Sequence, residues 1–254
     1  MKIALCQFNV AWNDKKANQQ KILNLLRSAP DKTMDWLIFP EMTLSGFTME
    51  TQIAETTPEE VEWFANIARE YNTAVSFGAV QNGYNNLITI NKFGKIINTY
   101  SKIHLYAFGG ENKYYKAAEK QTHFELNGLR VTPAICFDLR FPYLFFNTAE
   151  QTDVYVVIAS WPGRRAEHWT TLLRARAIEN QAYCIGVNNT GVDTQKIEYT
   201  GNSMAFDPLG KTVVDAGTKE GLYISQIAVD KELVAKTRTR FPFLNEKKPG
   251  AVFA

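Results

Sequence analysis

Eleven short runs rich in β-branched and aromatic residues recur along this chain, with amphipathic stretches between several of them, and that alternation restricts it to α/β architectures. The runs are Ile3–Phe8, Trp36–Phe39, Ala74–Val80, Leu87–Asn91, Lys95–Tyr100, Leu129–Cys136, Val154–Ser160, Tyr183–Val187, Ser203–Asp207, Lys211–Val214 and Gly221–Ile227. The clearest helix begins in TTPEEVEWFANIAREY. Thr57 is its N-cap, Pro58 suits the first helical position, and Glu60 completes a capping box. Val61, Phe64, Ala65, Ala68 and Tyr71 follow at helical spacing as one apolar stripe. Further helices are expected over about Asp14–Arg27 and through His168–Asn180. Asn91–Gly94 and Asp207–Gly210 read as hairpin turns. Strand-helix-strand units precede a hairpin in the first part, and the same order returns in the second. We read two related halves of one α/β domain over residues 1–254, because no linker of Pro, Gly or Ser composition separates them. Asp230–Ala254 is polar and Pro-punctuated, a tail expected to pack on the body or on a partner subunit.

Bulk properties narrow the function classes. The chain has 254 residues, is 45% apolar and carries a formal charge of +2. A chain of this length buries roughly 70–75% of its unfolded surface and needs no covalent staple. Basic residues are scattered, and Arg164-Arg165 and Lys247-Lys248 are only pairs, so no nucleic-acid partner is expected. Cys6, Cys136 and Cys184 lie far apart, with neither a CxxC nor a histidine-rich cluster. That pattern fits reduced thiols better than disulfides or a zinc site. No apolar run approaches the ~20 residues that span a bilayer, and MKIALCQFNV is too short for a signal peptide. The expectation is a soluble, cytoplasmic protein with no membrane partner.

Three residues stand where strands are expected to end, the position at which α/β sheets bind ligands. Cys136, in AICFDLRFP, follows the strand that begins at Leu129 and precedes a helix-like segment whose first N–H groups would lower a thiol pKa and hold an oxyanion. Its plain alternative is core packing, the reading given to Cys6 and Cys184. Glu41, in LIFPEMTLSGF, follows Pro40; half-buried beside Phe39 and Met42, it would suit a general base, and its alternative is an exposed loop carboxylate. Lys102, in YSKIHL, would stabilise an oxyanion in a pocket of low dielectric, but most lysines are merely solvated. Of the histidines, His123 reads as surface and His168 as the start of a helix. His104 stands near a candidate site without an Asn or Asp partner to mark a Cys-His dyad.

Taken in order, FPEM, YSKIHL and CFDLRFP resemble the nitrilase superfamily of carbon–nitrogen hydrolases, and the likeness covers nearly the whole chain. It extends through ASWPGRR, LLRARAIENQAY, GVNNTG and YTGNSMAFDPLG. SGFTME, HLYAFGGENKYYKA, SWP followed by HW, and RFPFLNE resemble its omega-amidase branch, whose substrates include 2-oxoglutaramate. The resemblance implies a four-layer αββα sandwich, a homodimer, a Glu41-Lys102-Cys136 triad, and Glu111 as a second acidic residue that orients Lys102 and the substrate. Two positions depart from the family pattern. Tyr143 follows Pro142 where many relatives are acidic, and Ala118 replaces a usual glycine; neither is expected to touch the triad.

The implied chemistry is amide hydrolysis through a thioester, with Phe137 supplying a backbone oxyanion donor and no metal or organic cofactor. Arg140, Arg164 and Arg165 are candidates for a substrate carboxylate, with Trp161 and Tyr199 as walls; ion pairs, solvated charges and core aromatics are their plain readings. Asp138 and Arg140 also read as scaffolding of the turn, and Arg174, Arg176 and Glu179 as ion pairs at the interface of the sheets. The rival functions are another hydrolase of the superfamily (a nitrilase, a carbamoylase or another amidase), a non-catalytic metabolite-binding relative, and a redox thiol protein.

Overall fold

The computed structural model describes residues 1–29, 31–225 and 228–248. In chain order its elements are β1 (Ile3–Gln7), α1 (Lys15–Ser28), β2 (Trp36–Ile38), α2 (Thr51–Ala54), α3 (Pro58–Glu70), β3 (Ala74–Gln81), β4 (Tyr84–Ile90) and β5 (Ile96–Ser101). There follow β6 (Phe124–Leu126), β7 (Leu129–Ile135), α4 (Pro142–Phe146), β8 (Val154–Ala159), α5 (Ala166–Asn180), β9 (Tyr183–Asn188), β10 (Thr190–Val192) and β11 (Glu198–Thr200). The last are β12 (Met204–Phe206), β13 (Thr212–Asp215), β14 (Gly221–Ile224) and α6 (Lys231–Arg240).

Among the described residues the strands form two six-stranded sheets, ordered β14-β1-β2-β3-β4-β5 and β13-β12-β9-β8-β7-β6, plus the small β10-β11 hairpin. Both large sheets repeat one pattern of directions. An antiparallel edge strand (β14 or β6) precedes three parallel strands (β1-β2-β3 or β7-β8-β9), and two antiparallel strands (β4-β5 or β12-β13) complete the sheet.

Strand alternation assembles the layers. Ile3 and Leu5 point inward with Trp36 and Ile38 to meet Val154, Val156, Ile158 and Ile185 of the other sheet. The intervening Ala4 and Cys6 point outward against Ile22 and Leu26 of α1 and Phe64 and Ala68 of α3. On the far face of the second sheet, Tyr155, Val157 and Cys184 pack on Trp169, Leu173 and Ala177 of α5. The result is helix, sheet, sheet, helix: the αββα sandwich. Burying each large aliphatic side chain fully is worth ~1.5–3 kcal/mol, against ~0–1 kcal/mol for an exposed ion pair, so the layer between the sheets dominates their cohesion. Arg174 and Arg176 lie on α5 and so outside the sheet pair: Arg176 binds Glu179 at 2.6 Å and stacks on Phe145, while Arg174 stacks on Phe206.

The capping box of α3 forms as expected, with Thr57 and Glu60 exchanging side-chain and backbone bonds. Strand β4 begins at Tyr84, three residues before the apolar run suggests. A two-residue turn, Asn82-Gly83, with both φ positive, forces the pairing Gln81↔Tyr84 and draws Asn85 and Asn86 into the sheet. Strands β6, β10 and β11 have three residues each, too few to make a period visible. Of the expected strand Gly221–Ile227, β14 occupies the first four residues, and Gln226 and Ile227 lie outside the described ones. The polar tail contains a helix, α6, docked by Arg238 donating to the Ala149 and Thr152 carbonyls at 2.9 and 2.6 Å; its last residues, 249–254, lie outside the description.

Candidate active site

Strands β2, β7 and β8 run parallel within their sheets, and Glu41, Cys136 and Ser160 follow their C-terminal ends. Glu41 is set in place by a glycine in the neighbouring strand. A Cβ on Gly78 would stand 2.7 Å from the Glu41 Cα and 2.2 Å from the Met42 nitrogen, so only hydrogen fits. The Thr43 N–H donates to the Gly78 carbonyl (3.0 Å), and the Gly78 N–H donates to Thr43 Oγ1 (2.9 Å), locking the chain across the strand. Glu41 is therefore fully buried, deeper than the half-buried base expected from sequence.

The carboxylate collects donors only. Glu41 Oε1 accepts from Lys102 Nζ (2.8 Å) and Asn85 Nδ2 (2.7 Å), and Oε2 accepts from the Ser160 N–H (2.9 Å). Lys102, also fully buried, donates to both oxygens of Glu111 at 3.1 and 2.9 Å. Glu111 is held in turn by Asn85 Nδ2 (2.9 Å) and the Tyr106 N–H (2.6 Å). Desolvating an ion costs several kcal/mol, and burial alone would push the Lys102 amine down. The charges of Glu111 and then Glu41 outweigh it, so its pKa rises and the amine stays a cation.

Cys136 sits at the tip of the turn after β7 with φ +47°, a left-handed conformation that costs a non-glycine residue ~1–3 kcal/mol. Its thiol pKa is well above the usual range, opposite to the lowering expected from a following helix. Burial is the first cause and the Glu41 carboxylate the second; Lys102 and the Ser160 N–H oppose them without prevailing. The structural reason is that only a five-residue 3₁₀ turn, Cys136–Arg140, follows the thiol, and an element that short supplies little dipole. At rest the proton stays on sulfur. Cys6 and Cys184 are fully buried on the outer sheet faces, as packing residues are.

Above the cluster lies a cavity of roughly 220 Å³ lined by Cys136, Phe137 and Ser160, with walls from Trp12, Phe47, Tyr106, Trp161 and Tyr199. Arg140, Arg164 and Arg165 also line it, so every residue expected at the substrate side meets one space. Arg140 stacks on Trp161 (4.7 Å), its Nη2 lies 3.3 Å from His168 Nδ1, and Arg165 Nη2 donates to the Tyr106 hydroxyl at 3.4 Å. Among the described residues, none of the three arginines has a carboxylate within 4.0 Å, so the ion-pair reading of them fails. Glu41, Lys102 and Glu111 sit behind this lining, and the link from the triad to the cavity is Cys136 itself. No histidine lines the cavity; His123 is exposed, its ring bonded to Thr132.

Sequence reasoning missed Asn85, Ser160 and Gly78. It also missed Asn188, which accepts from the Trp161 N–H (2.7 Å) and donates to the Trp161 carbonyl (3.0 Å), fixing that wall. The one available signal was Asn85-Asn86, a polar pair of poor β-formers beside an apolar run. The Ala118 position is not remote from the triad as expected, because its N–H donates to the Lys102 carbonyl at 3.0 Å. Tyr143 meets His104 instead, through its hydroxyl.

Residues 2–239 match the carbon-nitrogen hydrolase family. The chain is similar to omega-amidase YafV of Yersinia enterocolitica, at 33% identity over 97% of this chain and 96% of the relative. It is similar to 2-oxoglutaramate amidase of Bacillus subtilis, at 29% identity over 96% of each. In structure it resembles a CN-hydrolase superfamily protein of Xanthomonas campestris with an arsenic adduct in its active site. That match has a TM-score of 0.90 and 32% identity, over 98% of this chain and 97% of the other.

Proposed function

This chain belongs to the carbon–nitrogen hydrolase family, within the nitrilase superfamily, as a hydrolase acting on amides, and we propose that it cleaves the terminal carboxamide of a small 2-oxo acid, such as 2-oxoglutaramate, through a thioester on Cys136. The observation that carries this reading is the buried Glu41-Lys102-Glu111 cluster beside a single cavity-facing thiol.

Glu41 takes the Cys136 proton as sulfur attacks the amide carbon. The burial that keeps the resting thiol protonated makes a standing thiolate costly, so proton transfer is coupled to attack. Negative charge builds on the carbonyl oxygen. Lys102 shares its three N–H bonds between two carboxylates; Glu111 can be met through one bifurcated bond, leaving one N–H for that oxygen. The Phe137 N–H, next in the turn, is the second donor. Glu41 then gives its proton to the leaving nitrogen, ammonia departs, and the acyl group stays on sulfur. Water, deprotonated by Glu41, attacks the thioester, the C–S bond breaks, and the carboxylate product leaves with the thiol restored. Glu111 holds Lys102 through both carboxylate oxygens and orients it toward the substrate.

The substrate's other end is a carboxylate in this reading. Arg140 and Arg165 face the cavity without acidic partners among the described residues and supply charge-assisted donors, while Trp161 and Tyr199 flank the short carbon chain. The omega-amidase and 2-oxoglutaramate amidase relatives support the same substrate class. Exposed Tyr143, Phe146, Ile178, Phe241 and Phe243 lie on and beside α4, α5 and the segment after α6, which suits pairing with a second copy of the chain. Three unpaired cysteines suit a reducing cytosol; among the described residues, no helix is long and apolar enough to cross a membrane.

The test is ammonia release from a panel of omega-amides, nitriles and carbamoyl acids. Preference for 2-oxo acid amides, abolished in a folded Cys136→Ala variant, is expected. Preference for nitriles or carbamoyl acids, or activity in Cys136→Ala, would overturn the reading.

A further inference from the structure

One buried carboxylate, Asp138, ties both sides of Lys102 to both sides of Cys136. Its Oδ1 accepts from the His104 backbone N–H (2.8 Å) and lies 3.0 Å from His104 Nδ1. Its Oδ2 accepts from the Tyr100 hydroxyl (2.8 Å) and from the Ile135 N–H (3.0 Å). Tyr100 and His104 stand two residues before and after Lys102; Ile135 and Asp138 stand one before and two after Cys136. The two elements come from different sheets, so no run of backbone fixes their register. Three of these contacts, from Tyr100 and His104 to Asp138, cross between them.

The ring of His104 is itself constrained. A carboxylate oxygen only accepts, so Nδ1 carries a proton toward Asp138, and Nε2 meets the Tyr143 hydroxyl. Phe141 stacks flat on the imidazole at 3.6 Å between centroids and 13° between planes. The ring is gripped on its face and at both nitrogens. None of Tyr100, His104 and Asp138 lines the cavity.

We infer that Asp138, with His104 and Tyr100 as donors, is a clasp that sets the register of Lys102 against Cys136, which makes His104 a positioning residue for the reaction. The clasp also closes the turn around the left-handed cysteine, since the Ile135 N–H reaches Asp138 across it. A residue that touches no substrate thereby governs how the lysine meets the thiol and the developing oxyanion. The reaction itself rests on the amide-hydrolase reading above.

The test uses the full chain and the variants His104→Leu, His104→Asn and Tyr100→Phe. Turnover of 2-oxoglutaramate is measured per folded molecule, alongside the rate of Cys136 alkylation by iodoacetamide at neutral pH. A misplacement of about 1 Å costs ~100-fold in rate, so His104→Leu should lower kcat by that order with KM within about threefold. Alkylation should slow about tenfold, because Lys102 is the charge that favours the thiolate. His104→Asn, whose amide still donates to Asp138, should recover most of both losses, and Tyr100→Phe should fall between. Wild-type kcat and alkylation in both His104→Leu and Tyr100→Phe would overturn the clasp. So would losses that merely track the unfolded fraction, or an asparagine variant no better than leucine. Alkylation needs no substrate: if the unaltered protein turns over no omega-amide while the variants still separate by alkylation, the substrate reading fails and the clasp stands. Should His104→Leu fail to fold, Tyr100→Phe and His104→Asn decide the matter.

Discussion

Gly78 of β3 touches Glu41, in the turn that follows β2, so closely that a single added carbon on Gly78 would lie 2.7 Å from the Glu41 Cα. The base of the proposed reaction is thus placed by an absent side chain. Gly78→Ala must push the Glu41 segment out of line, and overpacking of this kind costs ~1–3 kcal/mol of stability. We expect lower stability in urea and a fall in kcat of at least tenfold, given the sensitivity of rate to placement. Wild-type turnover by ammonia assay would contradict the placement argument.

Arg140 tests the substrate side. A charge-assisted hydrogen bond contributes ~1.5–3 kcal/mol, or roughly 10- to 150-fold in affinity. Arg140→Ala should raise KM for a 2-oxo acid amide by that order and leave a neutral aliphatic amide almost unchanged. Arg140→Lys should rescue only in part, since lysine lacks the planar group that stacks on Trp161. An equal KM effect on both substrates would assign Arg140 to wall packing.

The raised thiol pKa of Cys136 makes a signed prediction for stability against pH. The folded protein keeps the proton on sulfur, while the unfolded chain releases it near the ordinary thiol value of ~8.5. Above that pH the native state binds more protons than the unfolded state, so stability falls as pH rises. Cys6 and Cys184 share this behaviour, being raised by burial as well. Replacing Cys136 alone with Ser should remove about 1.4 kcal/mol of loss per pH unit above ~8.5. Urea denaturation of the two proteins across that range measures it, and parallel curves would refute the assignment.

Much of the fold could be read from short apolar runs because both faces of each sheet are covered, which makes the strands near-continuously apolar. The capping box of α3 and the two hairpin turns were legible for a different reason, being local. The site was legible only in part. Glu41 and Cys136 stand out by their place at strand ends. Lys102 is one of 28 basic residues, and its resemblance to a family motif, not its surroundings, picked it out. Ser160 meets Glu41 across 119 residues and Asn85 meets it across 44, and no local pattern encodes such partners. The left-handed backbone of Cys136 left no mark either, as no glycine announces it. Charge balance misled in the same way: a thiol expected to be acidic is raised by its burial first, and then by a carboxylate that sequence places 95 residues earlier.

The most direct test of the central claim is peptide mass spectrometry of the protein quenched in acid during turnover of 2-oxoglutaramate. The account predicts an acyl group on the peptide carrying Cys136, cleared on standing in the unaltered protein; in Glu41→Gln, which lacks the base for both attack and hydrolysis, it forms slowly and then persists. Ammonia release with no acyl adduct on Cys136, or with the adduct on another residue, would contradict it.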